Sequence, residues 1–372
     1  MRVVIAPDKF KGCLTAAEVA RAVAAGISEG RPGVDTVLMP VADGGDGTVE
    51  AALTVGFTPV TIPTVGPTGQ PVEATYAVDG DRAVVELAGV VGLDLLPGGR
   101  SDPLGASTYG LGVVLREAID RGARQIVLGV GGSASTDGGA GMLQAMGARL
   151  LDAAGDDVAR GGGALRRLES VDLSAVAALV GSTRIVVASD VDNALLGPNG
   201  AAAVFGPQKG ASADDIDALE GGLAKLARVV AAATGRDDSR RAGAGAAGGT
   251  GFAAVAVLGA EIRPGIELLL ELLDFASVID GSDLVVTGEG SLDEQSLSGK
   301  APVGVAHAAA ALAIPVVAVA GRSLLPAERA AAAGISAVYP LSDLEPDVAR
   351  SIANAAALLT RTGRRIAAEW LT

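Results

Sequence analysis

The 372-residue chain has one cysteine, Cys13, and one histidine, His307. A single cysteine excludes an internal disulfide framework and a cysteine-built metal cluster, and a lone histidine cannot build a histidine-rich metal site. Aromatic residues make up 2% of the chain, too few for an array of base-stacking platforms. Basic residues are outnumbered 29 to 43, and the resulting formal charge of −14 repels nucleic acid and anionic membrane surfaces. Charged residues are only 19% against 49% hydrophobic, which excludes a disordered chain.

Two further features are missing. No basic segment precedes an apolar run at the N-terminus, so no secretory signal is expected and the expected location is the cytoplasm. The stretch Ala301 to Gly321 carries no charge and has the length of a membrane span. Pro315 divides it into an alanine-rich helix, Ala301–Leu312, and a buried strand, Pro315–Ala320, so no span is expected there despite a mean hydropathy of +0.43.

What the chain has in excess is glycine, 53 residues without a collagen period. Such glycine serves tight turns and backbone that approaches ligands closely. Apolar runs at Val3–Ala6, Thr36–Val41, Asp283–Thr287, Pro315–Ala320 and Ile335–Pro340 read as buried strands, most of them separated by helical patterns such as Ala16–Ile27. That alternation implies βαβ units and a parallel sheet. The gap between the second and third runs is too long for one crossover and predicts an inserted domain.

The insert alternates apolar and polar residues over Thr58–Val65, Val72–Val78 and Ala83–Leu87, the pattern of an antiparallel meander. A helix (Thr108–Arg121), a strand (Gln125–Val130), a helix (Ala140–Leu151), a strand (Arg184–Ala188) and helices over about Ala213 to Thr234 are expected next. Asp237–Gly251, charge followed by glycine, reads as a mobile linker. The expected fold is therefore α/β with two domains, a discontinuous parallel-sheet domain (1–57 and 281–372) and an inserted α/β domain (58–280) containing the meander. A helix over Asp347–Trp370 closes the chain.

Ligands of open parallel sheets bind beyond the carboxyl ends of the strands. The segments there are Pro7–Gly12, Ala42–Thr48, Gly131–Gly139, Ser189–Asn193 and Gly288–Asp293, rich in glycine, hydroxyl, acid and lysine. Each alone is ordinary capping chemistry; together they predict a polar cleft between two domains. Glycine and hydroxyl loops before helices present N–H groups to anions. Carboxylates beside a phosphate need a metal between them, so Asp190 and Asp192 fit Mg²⁺ held jointly by protein and phosphate. The combination favours phosphoryl transfer.

Only five of the 29 basic residues are lysine: Lys9, Lys11, Lys209, Lys225 and Lys300. Four lie in glycine- and acid-rich segments, where a compact point charge suits a phosphate or carboxylate oxygen. Lys225 falls in a helical pattern and reads as a surface residue, and His307 reads as a packing residue. GAGAAG at Gly243–Gly248 follows a charged stretch rather than a strand, so it is no dinucleotide fingerprint. A hydroxy-acid dehydrogenase would need that fingerprint after the first strand, where PDKFKG stands instead. A two-lobed, non-catalytic small-acid binding protein would normally be exported.

APDKFKG (Ala6–Gly12), PVADGGDGT (Pro40–Thr48), GGSASTDGGAG (Gly131–Gly141), SDVDNALLGPNGAA (Ser189–Ala202), FGPQKG (Phe205–Gly210) and TGEGSLDEQSLSGKAP (Thr287–Pro302) resemble, as a set and in order, the bacterial class I glycerate kinases. The resemblance implies ATP-dependent phosphorylation of D-glycerate. It implies a flavodoxin-like domain interrupted by a second α/β domain, and 2-phosphoglycerate as the product in preference to the 3-phospho isomer. On that reading Mg²⁺ lies near Asp190 and Asp192. Gly131, Gly132, Ser133, Ser135, Gly288, Gly290 and Ser291 form anion loops for ATP, with Lys300 as phosphate clamp. Lys9 holds the glycerate carboxylate or bridges to the γ-phosphate. Asp43, Asp46, Asp137, Glu289 and Asp293 are the catalytic candidates that orient substrate hydroxyls. A monomer or homodimer is expected.

Overall fold

The computed structural model describes residues 1–372, except that the side chain of Ser298, in the TGEGSLDEQSLSGKAP segment, lies outside the described residues. The strands are β1 (Arg2–Pro7), β2 (Asp35–Leu38), β3 (Thr58–Val65), β4 (Pro71–Asp79), β5 (Arg82–Glu86), β6 (Gln125–Gly129) and β7 (Arg149–Asp152). They continue as β8 (Leu168–Asp172), β9 (Arg184–Ala188), β10 (Glu261–Arg263), β11 (Leu284–Leu292), β12 (Val316–Ser323) and β13 (Ala337–Pro340). The chain divides into two compact units, one of residues 1–43, 50–55 and 264–372, the other of 44–49 and 56–263.

The first unit is built on a five-stranded parallel sheet in the order β13-β12-β11-β1-β2. Counted within the unit this is 2-1-3-4-5, one of the two common doubly wound orders. Its strands are continuous apolar runs because both faces are covered. Alternation of side chains sorts them into two layers: Val4, Ala6, Val285, Val316 and Ala318 lie in one apolar cluster, and Val3, Ile5, Leu284, Val286 and Val317 in another. The first layer meets the helix Ala301–Ala310 through Val305 and Ala306. Segment 264–280, expected with the insert, packs in this unit, where Ile266, Leu269, Phe275 and Ile279 join the same layer.

The second layer meets the helices Ala16–Gly30 and Ala355–Trp370. Thr15 and Glu18 form a capping box that sets the start of the former. Two glycines let the pair approach. A Cβ at Gly26 would lie 1.9 Å from the Thr360 carbonyl oxygen, and one at Gly363 2.4 Å from that of Val23. The C-terminal helix expected over Asp347–Trp370 is two helices, Val348–Ala353 and Ala355–Trp370, broken where Asn354 leaves helical geometry.

The second unit holds a mixed sheet in the order β10-β9-β6-β5-β4-β3, in which β3, β4 and β5 form the antiparallel meander and β5, β6, β9 and β10 run parallel. A separate hairpin pairs β7 with β8. The helix expected over Ala140–Leu151 ends at Ala145, because Gly147 turns to φ +107° and the following Arg-Leu-Leu-Asp becomes β7. No helix among the described residues is long and apolar enough to cross a membrane, and the uncharged Ala301–Gly321 stretch is helix then strand.

The segment Asp237–Gly251 is not a mobile linker. Its glycines are buried, and a helix runs over Ala246–Ala256. They are there for proximity: a Cβ at Gly245 would lie 2.3 Å from the Ala194 carbonyl oxygen, and one at Gly248, where φ is +66°, 2.1 Å from that of Ser135. Gly248→Ala is therefore expected to lower stability by about 2–4 kcal/mol, from the left-handed conformation and the clash together. Gly221→Ala, at an exposed helix position with open space around it, should raise it by about 0.5–1 kcal/mol. Denaturation midpoints of the two variants against the parent check the pair; equal shifts would show that crowding at Gly248 is not the constraint.

Candidate active site

Parallel strands place all their carboxyl ends along one edge of a sheet, and each unit carries a polar cluster along such an edge. In the first unit, β2, β1 and β11 are neighbours; the chain leaves β2 through Met39–Asp43 and β1 through Asp8, and Glu289 lies in β11 just past the last residue that pairs with β1. The Asp8 amide donates to the Gly288 carbonyl (2.8 Å), and its Oδ1 accepts the Lys9 amide (2.7 Å). Burial, then the nearby Asp43 carboxylate, pushes the Asp8 carboxyl up to about 7; the Lys9 amide and ammonium oppose this and Glu289 adds to it.

Glu289 is buried, with Oε2 3.6 Å from Lys300 Nζ and Oε1 without a hydrogen-bond partner. Burial raises its carboxyl above the usual range, while the Ser296 hydroxyl and the Lys300 ammonium pull the other way. Lys300 occupies the N-cap position of the helix Ala301–Ala310, and Pro302 is its second residue rather than its first. A cation at a helix N-terminus is unfavourable by itself, and the Glu289 carboxylate compensates for it here. Asp293 caps a short turn, accepting the Gln295 amide (2.9 Å).

The segment Gly288–Ser291, expected as an anion loop, is strand: β11 continues to Leu292 and stays paired with β12. Gly288 has a packing reason, because a Cβ there would lie 2.3 Å from the Val319 carbonyl oxygen. Gly290 likewise belongs to the ladder segment. Ser291 does face a cation, accepting a hydrogen bond from Arg322 Nε (3.1 Å).

In the second unit β5, β6 and β9 are parallel neighbours, ending in Glu86, the glycine loop and the Asp190 loop. Glu86 Oε2 accepts the amides of Gly47 (3.0 Å) and Val49 (3.2 Å), and so anchors the segment 44–49 that bears the exposed Asp46. That segment lies against the glycine loop: a Cβ at Gly131 would be 2.7 Å from the Gly45 Cα. Gly132, at φ +72°, turns the loop. Lys209, almost fully buried, sets the rest of it, donating to Ser133 Oγ (2.7 Å) and the Ser135 carbonyl (2.5 Å). Burial lowers its ammonium to about 7, and the Asp137 carboxylate opposes that shift.

Asp137, expected among the residues that orient substrate, has no exposed surface. Its oxygens accept from the Thr108 amide (2.8 Å), the Thr108 hydroxyl (2.9 Å) and the amides of Gly139 (3.1 Å) and Gly141 (3.2 Å). It is a scaffold carboxylate and cannot touch a solute. Asp190 and Asp192 are both exposed in the loop after β9, whose turn is closed by the Val191 amide on Ser189 Oγ (3.3 Å). No three His, Cys, Asp or Glu side chains among the described residues converge as a metal cage. Two carboxylates nonetheless fit Mg²⁺, which keeps several waters and takes one or two carboxylates beside phosphate oxygens.

Sequence reasoning did not single out Asp8, Glu86 or Arg322, and noted Lys209 only as one of the scarce lysines. It took His307 for a packing residue, whereas the side chain is exposed in the last turn of its helix. Lys225, read as a surface residue, pairs with Glu169 (2.5 Å) on a partly exposed face.

The model of the glycerate kinase family matches residues 3–371. Glycerate kinase of Bacillus subtilis (strain 168) is 42% identical over 371 residues, 99% of this chain and 97% of that protein. Glycerate 2-kinase of Escherichia coli (strain K12) is 45% identical over 325 residues, 86% of this chain and 85% of that protein. A crystal structure of a Salmonella typhimurium LT2 protein assigned as a glycerate kinase 2 superposes with a TM-score of 0.86 at 41% identity, covering 99% of this chain and 97% of that one.

The raised Asp8 carboxyl has a stability consequence. The unfolded chain releases that proton near its ordinary value of about 4, whereas the folded chain keeps it to about 7. Between those values the folded state binds more protons, so the Asp8 contribution to stability falls as pH rises. Asp8→Asn should therefore melt several degrees above the parent at pH 8 and level with it at pH 4. Melting curves at the two pH values check this, and a pH-independent difference would contradict it.

Proposed function

The chain belongs to the glycerate kinase family and is a phosphotransferase, and from that premise we propose that it moves the γ-phosphoryl group of ATP to the 2-hydroxyl of D-glycerate, with Mg²⁺, releasing ADP and 2-phosphoglycerate. The choice of hydroxyl draws on the Escherichia coli relative named glycerate 2-kinase. The observation that carries the reading lies on the neighbouring parallel strands β6 and β9. A glycine loop held by a buried lysine follows one, and an exposed, oxygen-only acid pair follows the other. Polyphosphate with a hard divalent cation suits that donor set.

In this reading Gly131, Gly132 and Ser133 cradle phosphate oxygens, Ser135, which has no exposed surface, only shapes the loop, and Asp190 and Asp192 would hold Mg²⁺. When bound, the ion neutralises charge on the phosphates as the leaving oxygen develops its own. Lys300 offers a point charge to the transferred group, and Lys9 or Arg322 holds the glycerate carboxylate. Asp43, Asp46 and Asp293 are left to orient the substrate hydroxyls. Glycine at 288 is explained by packing and Gly290 lies within β11, and neither is assigned to ATP.

Phosphorus NMR after incubation with D-glycerate and Mg·ATP should give 2-phosphoglycerate, and EDTA should abolish turnover; a 3-phospho product, or turnover unaffected by EDTA, refutes the corresponding part. Asp190→Asn and Asp192→Asn should raise the Mg²⁺ concentration needed for half-maximal rate about tenfold or more. Lys300→Met should lower kcat/KM for ATP roughly ten- to thousand-fold, about 1.4–4 kcal/mol of transition-state stabilisation, with Lys300→Arg recovering part. Lys225→Met is the control: its exposed ion pair is worth about 1 kcal/mol or less, and kinetics should not change. Equal kinetics in the two methionine variants would remove Lys300 from the site.

A further inference from the structure

We propose that Asp8 is the general base that takes the proton from the glycerate hydroxyl as it attacks ATP, an inference that rests on the phosphorylation of glycerate argued above. In a 2-1-3-4-5 sheet the chain leaves the first and third strands of the order toward opposite sides, and the crevice at that switch point is where ligands bind. Here those strands are β1 and β11, and the residues just past their last shared pair, Pro7 with Gly288, are Asp8 and Glu289. Asp8 is fixed there by the bond from its own amide to Gly288 and by the Lys9 amide on Oδ1. No hydrogen bond from the described residues reaches Oδ2, and the residue keeps part of its surface exposed.

The other acids are less suited. Asp137 is sealed from solvent, and Asp293 is engaged as a cap. Glu289 is buried against Lys300, and Asp46 is an exposed carboxylate of the other unit. The three acids Asp8, Asp43 and Glu289 do not converge as a metal cage among the described residues, so mutual repulsion is left to act on their proton affinities. The groups facing Asp8 are its neighbour Lys9, Asp43 after β2, and Glu289 of β11; Glu289 in turn faces Lys300 and Asp293. The balance leaves Asp8 titrating at about 7, where a base is both deprotonated often enough and strong enough to accept a proton.

The step balances without any further reagent. The hydroxyl oxygen forms a bond to the γ-phosphorus, the bond from that phosphorus to the β,γ-bridging oxygen breaks, and ADP leaves with the electron pair. The hydroxyl proton passes to Asp8 Oδ2 and from there to solvent. In a loose transition state this transfer comes late.

Asp8→Asn keeps the shape and the acceptor for the Lys9 amide but cannot take the proton. It should lower kcat roughly 10²–10⁴-fold, leave KM for glycerate and ATP within about threefold, and abolish the acid limb of the kcat–pH profile near pH 7. A purely structural role would move KM and leave the limb in place. Glu289→Gln should keep the limb but shift it to lower pH, because one repelling charge is gone. Retention of kcat within about threefold in Asp8→Asn, or persistence of its limb, overturns the proposal. If Asp8→Asn fails to fold, Asp8→Glu decides: a displaced limb supports the assignment and an unmoved one refutes it. Product identity and EDTA sensitivity are read on the parent protein alone, so failure of the kinase chemistry is told apart from failure of Asp8.

Discussion

Parallel pairing at β1 is the constraint on which the first unit's chemistry depends. Its register with β11 joins residues from opposite ends of the chain, Val4 opposite Val285 and Pro7 opposite Gly288, while its register with β2 sets Arg2 opposite Asp35. A slip of one residue would turn Val4 and Ala6 out of one apolar layer and Val3 and Ile5 out of the other. The same slip would move Asp8 off the Gly288 carbonyl that holds it. Burial of the strand on both faces thus fixes the position of a charged group at its end. The second unit repeats the device with β5, β6 and β9, whose register is held from Arg82–Glu86 across to Arg184–Ala188.

Both clusters place ionisable groups where desolvation is strong, and the effect has opposite sign for acid and base. Asp8 is pushed up and Lys209 down, each to about 7. Their neighbours differ in a way that fits different work. Like charges, Asp43 and Glu289, help to hold the proton on Asp8, and it keeps some exposure. Lys209 is sealed in, opposed by the Asp137 carboxylate, and gives its hydrogen bonds to Ser133 and Ser135. A group that exchanges protons with a ligand must reach it, whereas a group that shapes a loop need only reach the loop. Lys209 is therefore a positioning residue, and its buried charge is tolerable because the loop it holds offers a carbonyl oxygen.

Much of the architecture was legible because the relevant physics is periodic. Continuous apolar runs marked the two-faced strands, and alternation of apolar and polar residues marked the meander from Thr58 to Leu87. The inserted unit followed from a gap too long for one crossover. The site was legible at the level of loops and less so at the level of residues. Asp8 stands beside Lys9 in a motif, and an acid next to a lysine reads as a solvated turn; only the strand neighbours reveal Asp43 and Glu289 beside it. Glu86 sits at the end of a short apolar strand, and nothing local marks the Gly47 and Val49 amides it serves. Asp137 was misjudged for the converse reason: acid among glycines suggests a ligand, and only the fold shows Thr108 and the Gly139 and Gly141 amides closing around it.

Glycine is where composition misled most, and the reason is general to this chain. A glycine-rich run after charges has two physical meanings, loss of restraint or room for backbone, and sequence does not separate them. Gly245 and Gly248 lie where another backbone carbonyl would touch any Cβ. The same holds at Gly288 against Val319 and at Gly26 against Thr360. Much of the chain's excess of glycine therefore acts as close packing, in the helices and strands as well as in the loops. This bears on the site directly: Gly248 presses on Ser135, whose carbonyl Lys209 also holds, so the loop is confined from two sides by contacts that no larger residue would permit. Confinement of the Gly131–Gly139 loop comes from the absence of side chains around it, and a glycine-rich segment far along the chain is part of what supplies it.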